Sequence, residues 1–254
     1  MLKVRIIPVL TFNGHALVKT KQFANPRMVG NPIQAARVFN SRNVDELVFT
    51  DITASYNDRK INLPLVKAVI EECFMPVTIG GGIRSLDDIN DLLKIGADKI
   101  LVKQIALADR NFIPDAVRMY GSQCISVAID ARQTQAGKWE IYQKTSTGID
   151  AVAFAKKAEA EGVGEIIVTS VDCDGMLSGF DIDLVKQVTE AVNVPVVAVG
   201  GAGNPDDFLK LFQQTNIKAA GASALFYFTR YTSNDIKRKL AEHGFPVRSL
   251  TTEN

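Results

Sequence analysis

The chain has 254 residues, 46% of them hydrophobic, with 29 Lys and Arg against 28 Asp and Glu. It is long enough to bury a full core, and it has no net basic field for nucleic acid or an anionic membrane, so any anion site must be local. The opening MLKVRIIPVL has no signal-peptide cleavage pattern, and the chain has no run of about 18 apolar residues, so the sequence reads as cytoplasmic and not membrane-bound.

In chain order, eight short β-branched runs alternate with amphipathic segments. The predicted strands are VRIIPVL (4–10), ELVFTDI (46–52), PVTIGG (76–81), KILVKQI (99–105), ISVAID (125–130), EIIVTS (165–170), PVVAVGG (195–201) and KAAGASAL (218–225). Near-continuous apolar runs fit parallel strands covered on both faces, and spacers such as LPLVKAVIEECF and DAVAFAKKAEAEG carry a helical period. Ser85 before LDD, and Asn204 with Pro205 before DDF, mark helix starts. The one long interruption, ARQTQAGKWEIYQKTSTG after the fifth strand, alternates like a hairpin, contains the single Trp and is expected over the mouth. No linker splits the chain, so residues 1–254 read as one domain. Cys73, Cys124 and Cys173 lack CxxC spacing and have two histidines for company, which suggests neither zinc nor a disulfide framework. Reduced, mostly buried thiols are expected, with no metal and no cofactor.

A repeat sets the architecture. A shift of 119 residues superposes MPVTIGGGIRSLDD (75–88) on VPVVAVGGAGNPDD (194–207), and brings Glu46 onto Glu165, Thr50 onto Thr169 and Lys99 onto Lys218. One offset matching separate elements predicts an α/β fold, a (βα)8 TIM barrel with a two-fold half-barrel repeat. An open doubly wound sheet is the alternative, and it would not predict such symmetry.

Each half ends a strand in glycines before a capped helix, GGGIRS with Gly81 and Gly82, and GGAGNP with Gly201 and Gly203. Such turns let backbone N–H groups approach a phosphate at a helix N-terminus, and two of them predict a substrate with two phosphates. A lone GG would be no more than a tight turn. Asp130 ends the fifth strand, where a barrel places catalytic groups, and suits general acid or base work. Subtracting 119 lands on Thr11, whose hydroxyl cannot exchange protons near neutral pH as a carboxylate can. Arg5, Glu46, Lys99 and Glu165 start their strands at the opposite end. Any one of them could be a solvated strand end, while four of alternating sign can close the barrel bottom as a paired ring, a gate as well as a plug.

RIIP, LVK at 17–19, DELVF.DIT, GGGIRS, GADK, GSQC, AIDA, TS.D.DG, GGAGNP and the closing AEHG.PVR together resemble the HisF family, the cyclase subunits of imidazole glycerol phosphate synthase, over essentially the whole chain. The resemblance implies a lyase that receives ammonia through the barrel from a HisH-like glutaminase docked at the bottom. That ammonia is used on a bis-phosphorylated aminoimidazole ribotide. It implies the ammonia gate for Arg5, Glu46, Lys99 and Glu165, a partner-facing surface for Asp98, and for Lys19 a place on a mobile first loop among the substrate- and phosphate-binding residues. Asp130 matches one of two catalytic acids, and Asp174, Gly175 and Ser223 belong with the phosphate-binding segments.

Departures from the family cluster at the mouth. Thr11 replaces the first catalytic aspartate; Lys103, Gln104 and Ile105 crowd one phosphate site; Cys173, Met176 and Leu177 replace an Arg, a Thr and a Lys, and Ala224 a serine. This pattern resembles HisF-like paralogues that supply ammonia, with a sugar amidotransferase, for amidino sugars of surface polysaccharide. Three readings follow: an ammonia-conducting subunit with altered chemistry, a histidine-pathway cyclase with a substituted acid, and a non-catalytic scaffold binding a phosphorylated ligand. A phosphosugar isomerase would not need the charged ring.

Overall fold

The computed structural model describes residues 2–248. Eight parallel strands, Arg5–Phe12, Leu47–Asp51, Val77–Gly80, Lys99–Val102, Ile125–Gln135, Glu165–Ser170, Val196–Val199 and Ala219–Ala222, pair in sequence order, and the last pairs with the first. The result is a closed (βα)8 barrel. Strand residues divide between two apolar clusters, as alternation requires when one face looks inward and the other meets the helices. Ile7, Val48, Leu101, Ile167 and Val197 form the inner cluster, while Ile6, Leu47, Ile100, Ile166 and Ala198 belong to the outer core.

The repeat is visible in the helix caps. Ser85 caps the helix Leu86–Lys94 in a capping box with Asp88, and Asn204 caps Pro205–Gln214 in a capping box with Asp207. The two boxes stand 119 residues apart, and each satisfies orphan N–H groups at the helix start while placing a carboxylate near the positive end of the dipole.

Strand ends differ from the sequence reading by a residue or two at several places, and by more at four. The fourth strand stops at Val102, because Lys103 leaves extended backbone at φ −140 and ψ −77 and Gln104–Ala108 turns helical. The eighth is confined to Ala219–Ala222. The first runs on to Phe12 and enters a hairpin, Leu17–Lys21 with Ala24–Gly30, that alternation did not indicate; it turns at Gln22 and Phe23, both at positive φ. The insertion after the fifth strand is a hairpin as expected, Ile125–Gln135 with Lys138–Gln143, and gains a third strand, Thr145–Asp150. Trp139 is buried there, its indole N–H donating to Asp181 at 3.0 Å. The three cysteines are free and each only partly exposed, in keeping with the reduced, mostly buried thiols expected. Among the described residues no helix is long and apolar enough to cross a membrane.

Candidate active site

A cavity of about 640 Å³ opens at the C-terminal ends of the strands. It brings together Thr11, Lys19, Gly81, Gly82, Lys103, Asp130, Asp174 and Ser223 from the candidates above. Two hairpins roof it. Phe23 at the tip of the first lies 6.3 Å from Tyr142 of the second, and Lys144 stands 4.2 Å over the Tyr56 ring. The first hairpin is tied down on the turn after the sixth strand: Gln22 N–H donates to the Asp174 carbonyl at 2.8 Å, the Gln22 side chain to the Asp172 carbonyl at 2.8 Å, and the Thr20 hydroxyl to the Asp174 carboxylate at 3.2 Å. Gly175 makes room for it, since a Cβ there would stand 2.2 Å from the Thr20 carbonyl oxygen.

The two glycine turns are not equivalent in their access to this cavity. Gly81 and Gly82 line it, with the Gly82 N–H donating to the Ser55 hydroxyl at 3.2 Å. Gly201 and Gly203 lie beneath the loop that follows the sixth strand and, like Gly175, are absent from the lining. A Cβ on Gly201 would sit 1.9 Å from the Gly179 oxygen, and the Gly203 N–H is held by Asp207 at 2.8 Å. Asp174, Ser223 and Ala224 represent that end of the cavity.

The chemical groups at the centre are mutually engaged. The Lys103 ammonium donates to the Asp130 carboxylate, so the residue expected to crowd a phosphate site is turned onto the candidate acid-base group. The Thr11 hydroxyl donates to the Val18 carbonyl across the hairpin. Lys19, 4% exposed, reaches the Val9 carbonyl at 3.0 Å, the Thr11 hydroxyl at 3.4 Å and the Ser223 hydroxyl, with the Tyr227 ring 4.9 Å away. Burial pulls its ammonium down to about 7 against a partial opposing pull from Asp174. Asp174 moves the other way: burial pushes its carboxyl up to about 6, opposed by the Thr20 hydrogen bond and by Lys19.

Sequence reasoning missed Asp51, which closes the apolar run of its strand as Asp130 closes ISVAID and so carried the same positional signal. Its buried carboxylate accepts from the Thr53 and Ala54 N–H groups at 3.0 Å and is paired with Arg59, which makes it an organiser of the rim. Phe23, Tyr56, Tyr142 and Lys144 were also missed. They lie on loops whose approach to the mouth has no local signature.

At the opposite end the four charges form a closed ring. Arg5 donates to one oxygen of Glu46 at 2.5 Å and of Glu165 at 2.6 Å, and Lys99 donates to the other oxygen of each at 2.5 and 3.0 Å. Burial disfavours the Arg5 charge, but the two carboxylates outweigh it and hold the guanidinium above its ordinary value. Asp98 is exposed on the same side, one carboxylate oxygen capping the Val77 N–H at 2.8 Å.

A family model described as histidine biosynthesis protein matches residues 5–232. A relative from Streptococcus mutans serotype c, the imidazole glycerol phosphate synthase subunit HisF, is 42% identical over 251 residues, which is 98% of this chain and 100% of the relative.

Proposed function

The chain belongs to the histidine biosynthesis protein family and within it to the HisF type, and from that premise we propose that it is the synthase subunit of a glutamine-dependent complex. It takes ammonia from a HisH-like glutaminase at the charged end of the barrel and uses it on a phosphorylated substrate at the mouth. The observation that carries this reading is the four-charge ring at the end opposite the cavity. Two carboxylates that are 4% and 6% exposed are expensive to bury, and chemistry at the mouth does not require them there. Between ring and cavity the wall of Ile7, Val48, Leu101 and Ile167 favours uncharged ammonia over ammonium.

At the mouth, the turn of Gly81 and Gly82 with Lys103 holds one phosphate, and Ser223 with the neighbouring helix start holds the other. A phosphate that draws Lys103 away leaves the Asp130 carboxylate free to accept a proton. The family description supports a place in histidine biosynthesis and the relative's name supports imidazole glycerol phosphate as the product; neither concerns a surface sugar.

One observation favours a second reading. With Thr11 committed to Val18, Asp130 to Lys103, Asp51 to Arg59 and Asp174 to Thr20, the mouth has no pair of free carboxylates among the described residues. Such a site suits delivery of ammonia to another acceptor, such as an amidino sugar made with a sugar amidotransferase. Turnover of the bis-phosphorylated ribotide with ammonium decides between them: a rate within about tenfold of 10 s⁻¹ supports the histidine-pathway reaction, and a rate lower by about 10² or more selects the second. In a complex reconstituted with the glutaminase, Lys99→Ala is expected to raise the ratio of glutamate to product while sparing ammonium-driven turnover. An unchanged ratio would make the ring structural.

A further inference from the structure

Lys19 is more deeply buried than its place on a surface hairpin requires. The antiparallel hairpin, paired at Phe12 with Leu17, folds residue 19 back over the end of the first strand. Its ammonium stands 3.4 Å from the Thr11 hydroxyl, on the side of the mouth where the half-barrel repeat matches position 11 to Asp130. The amine therefore occupies the space that a second acid-base group would fill.

Its surroundings hold it without fixing its charge. The three partners of Nζ, the Val9 carbonyl and the Thr11 and Ser223 hydroxyls, are neutral, and among the described residues it forms no ion pair. The charged and titratable groups facing it are Asp174 on the turn after the sixth strand, the Asp130 and Lys103 pair across the cavity, and the Tyr227 hydroxyl. Ser223 donates its own proton to the Val9 carbonyl at 2.7 Å, and rotation of that hydroxyl would point it at Nζ instead. The site thus has a partner for the amine as well as for the ammonium.

We infer that Lys19 is the proton-transfer group on the first-strand side of the mouth, opposite Asp130, in the role that Thr11 cannot fill. In the step, Nζ–H gives its proton to an oxygen or nitrogen of the bound substrate and Lys19 becomes a neutral amine, to which Ser223 turns. Nζ then takes a proton from the attacking ammonia as that nitrogen forms its bond, and the ammonium is restored. The burial that lowers the affinity of Nζ for its proton brings it to the range in which such a group works near neutral pH.

The inference rests on the function proposed above, so its test has one arm that needs no substrate. Nitrogen-15 NMR of the lysine-labelled chain, with the signal assigned by its loss in Lys19→Arg, should show Nζ titrating within about one unit of 7; a midpoint near the ordinary lysine value of about 10.4 overturns the inference. The second arm measures turnover of the ribotide at fixed free ammonia across pH. Lys19→Arg keeps the cation and its hydrogen bonds but cannot release a proton, so it should lower kcat by about 10²-fold or more, leave KM within about threefold and remove a pH limb near 7. Lys19→Met should fall as far. An active Lys19→Arg with an unchanged profile would make Lys19 a fixed phosphate-holding cation and overturn the inference. Absence of turnover in the unsubstituted chain rejects the ribotide as substrate, and the NMR midpoint then decides on Lys19 by itself.

Discussion

Replacing Lys99 by Met tests how the charge ring is held. The substitution keeps the length of the side chain and takes the ring from neutral to a net charge of −1, with Glu46 and Glu165 left to share Arg5. Removing one member of a buried ion pair costs about 3–5 kcal/mol when the partner is stranded. Here neither carboxylate is stranded, and Lys99 and Arg5 are 20% and 29% exposed, so water screens part of the loss. A cost of about 2 kcal/mol follows, which for a chain of this size lowers Tm by about 4–8 °C. The double variant Lys99→Met with Glu165→Gln restores neutrality around the remaining Arg5 and Glu46 pair. It should recover part of the loss, with a coupling of about 1 kcal/mol or more between the two positions. Calorimetry on the two single variants and the double variant supplies the numbers. Additive losses, or a Lys99→Met melt within about 1 °C of the parent, would show that the four charges act as independent solvated groups.

Gly201→Ala puts a methyl 1.9 Å from the Gly179 oxygen at φ +104, whereas Gly244→Ala at φ +80 meets nothing within 4 Å. In urea denaturation the first should cost about 3 kcal/mol or more and the second about 1–2 kcal/mol, and equal losses would refute the packing reason given for Gly201. Lys19 makes stability depend on pH in a defined sense. Its folded-state value, about 7, lies below its ordinary one, so the unfolded chain binds more protons between them and the contribution is lost as pH falls toward 7. Thermal melts of the parent should therefore rise from pH 7 to 9.5 relative to Lys19→Met, and parallel curves would show that Lys19 titrates normally.

The parts of the fold legible in the sequence are those set by local period and local turn chemistry. The eight strands and both helix starts could be read because parallel strands are apolar throughout and because Ser85 and Asn204 are cap residues followed three positions later by Asp88 and Asp207. The ring could be read because Arg5, Lys99 and Glu165 each begin a strand and Glu46 directly precedes one. The first hairpin could not, since it turns at Gln22 and Phe23 without a glycine, and Lys103 was read as strand because its apolar neighbours continue the pattern. The engagement of Lys19 with Ser223 spans 204 residues and that of Lys103 with Asp130 spans 27. Separations of that size leave no periodic trace; only the closed barrel brings those groups to one place.

The pairing of the last strand with the first, along Arg5–Pro8 and Ala219–Ala222, is joined by a bond from the Val4 N–H to the Pro246 carbonyl at 2.8 Å. Every barrel strand thus has two neighbours, and none occupies a terminal place in the architecture. A rearranged gene that links the segment of Pro246 to that of Val4 and opens at the exposed Ser122 and Gln123 would encode the second half-barrel before the first. It would keep all eight strand pairings and both capping boxes. The linear order of this chain is one of several in which the same circle of strands can be written.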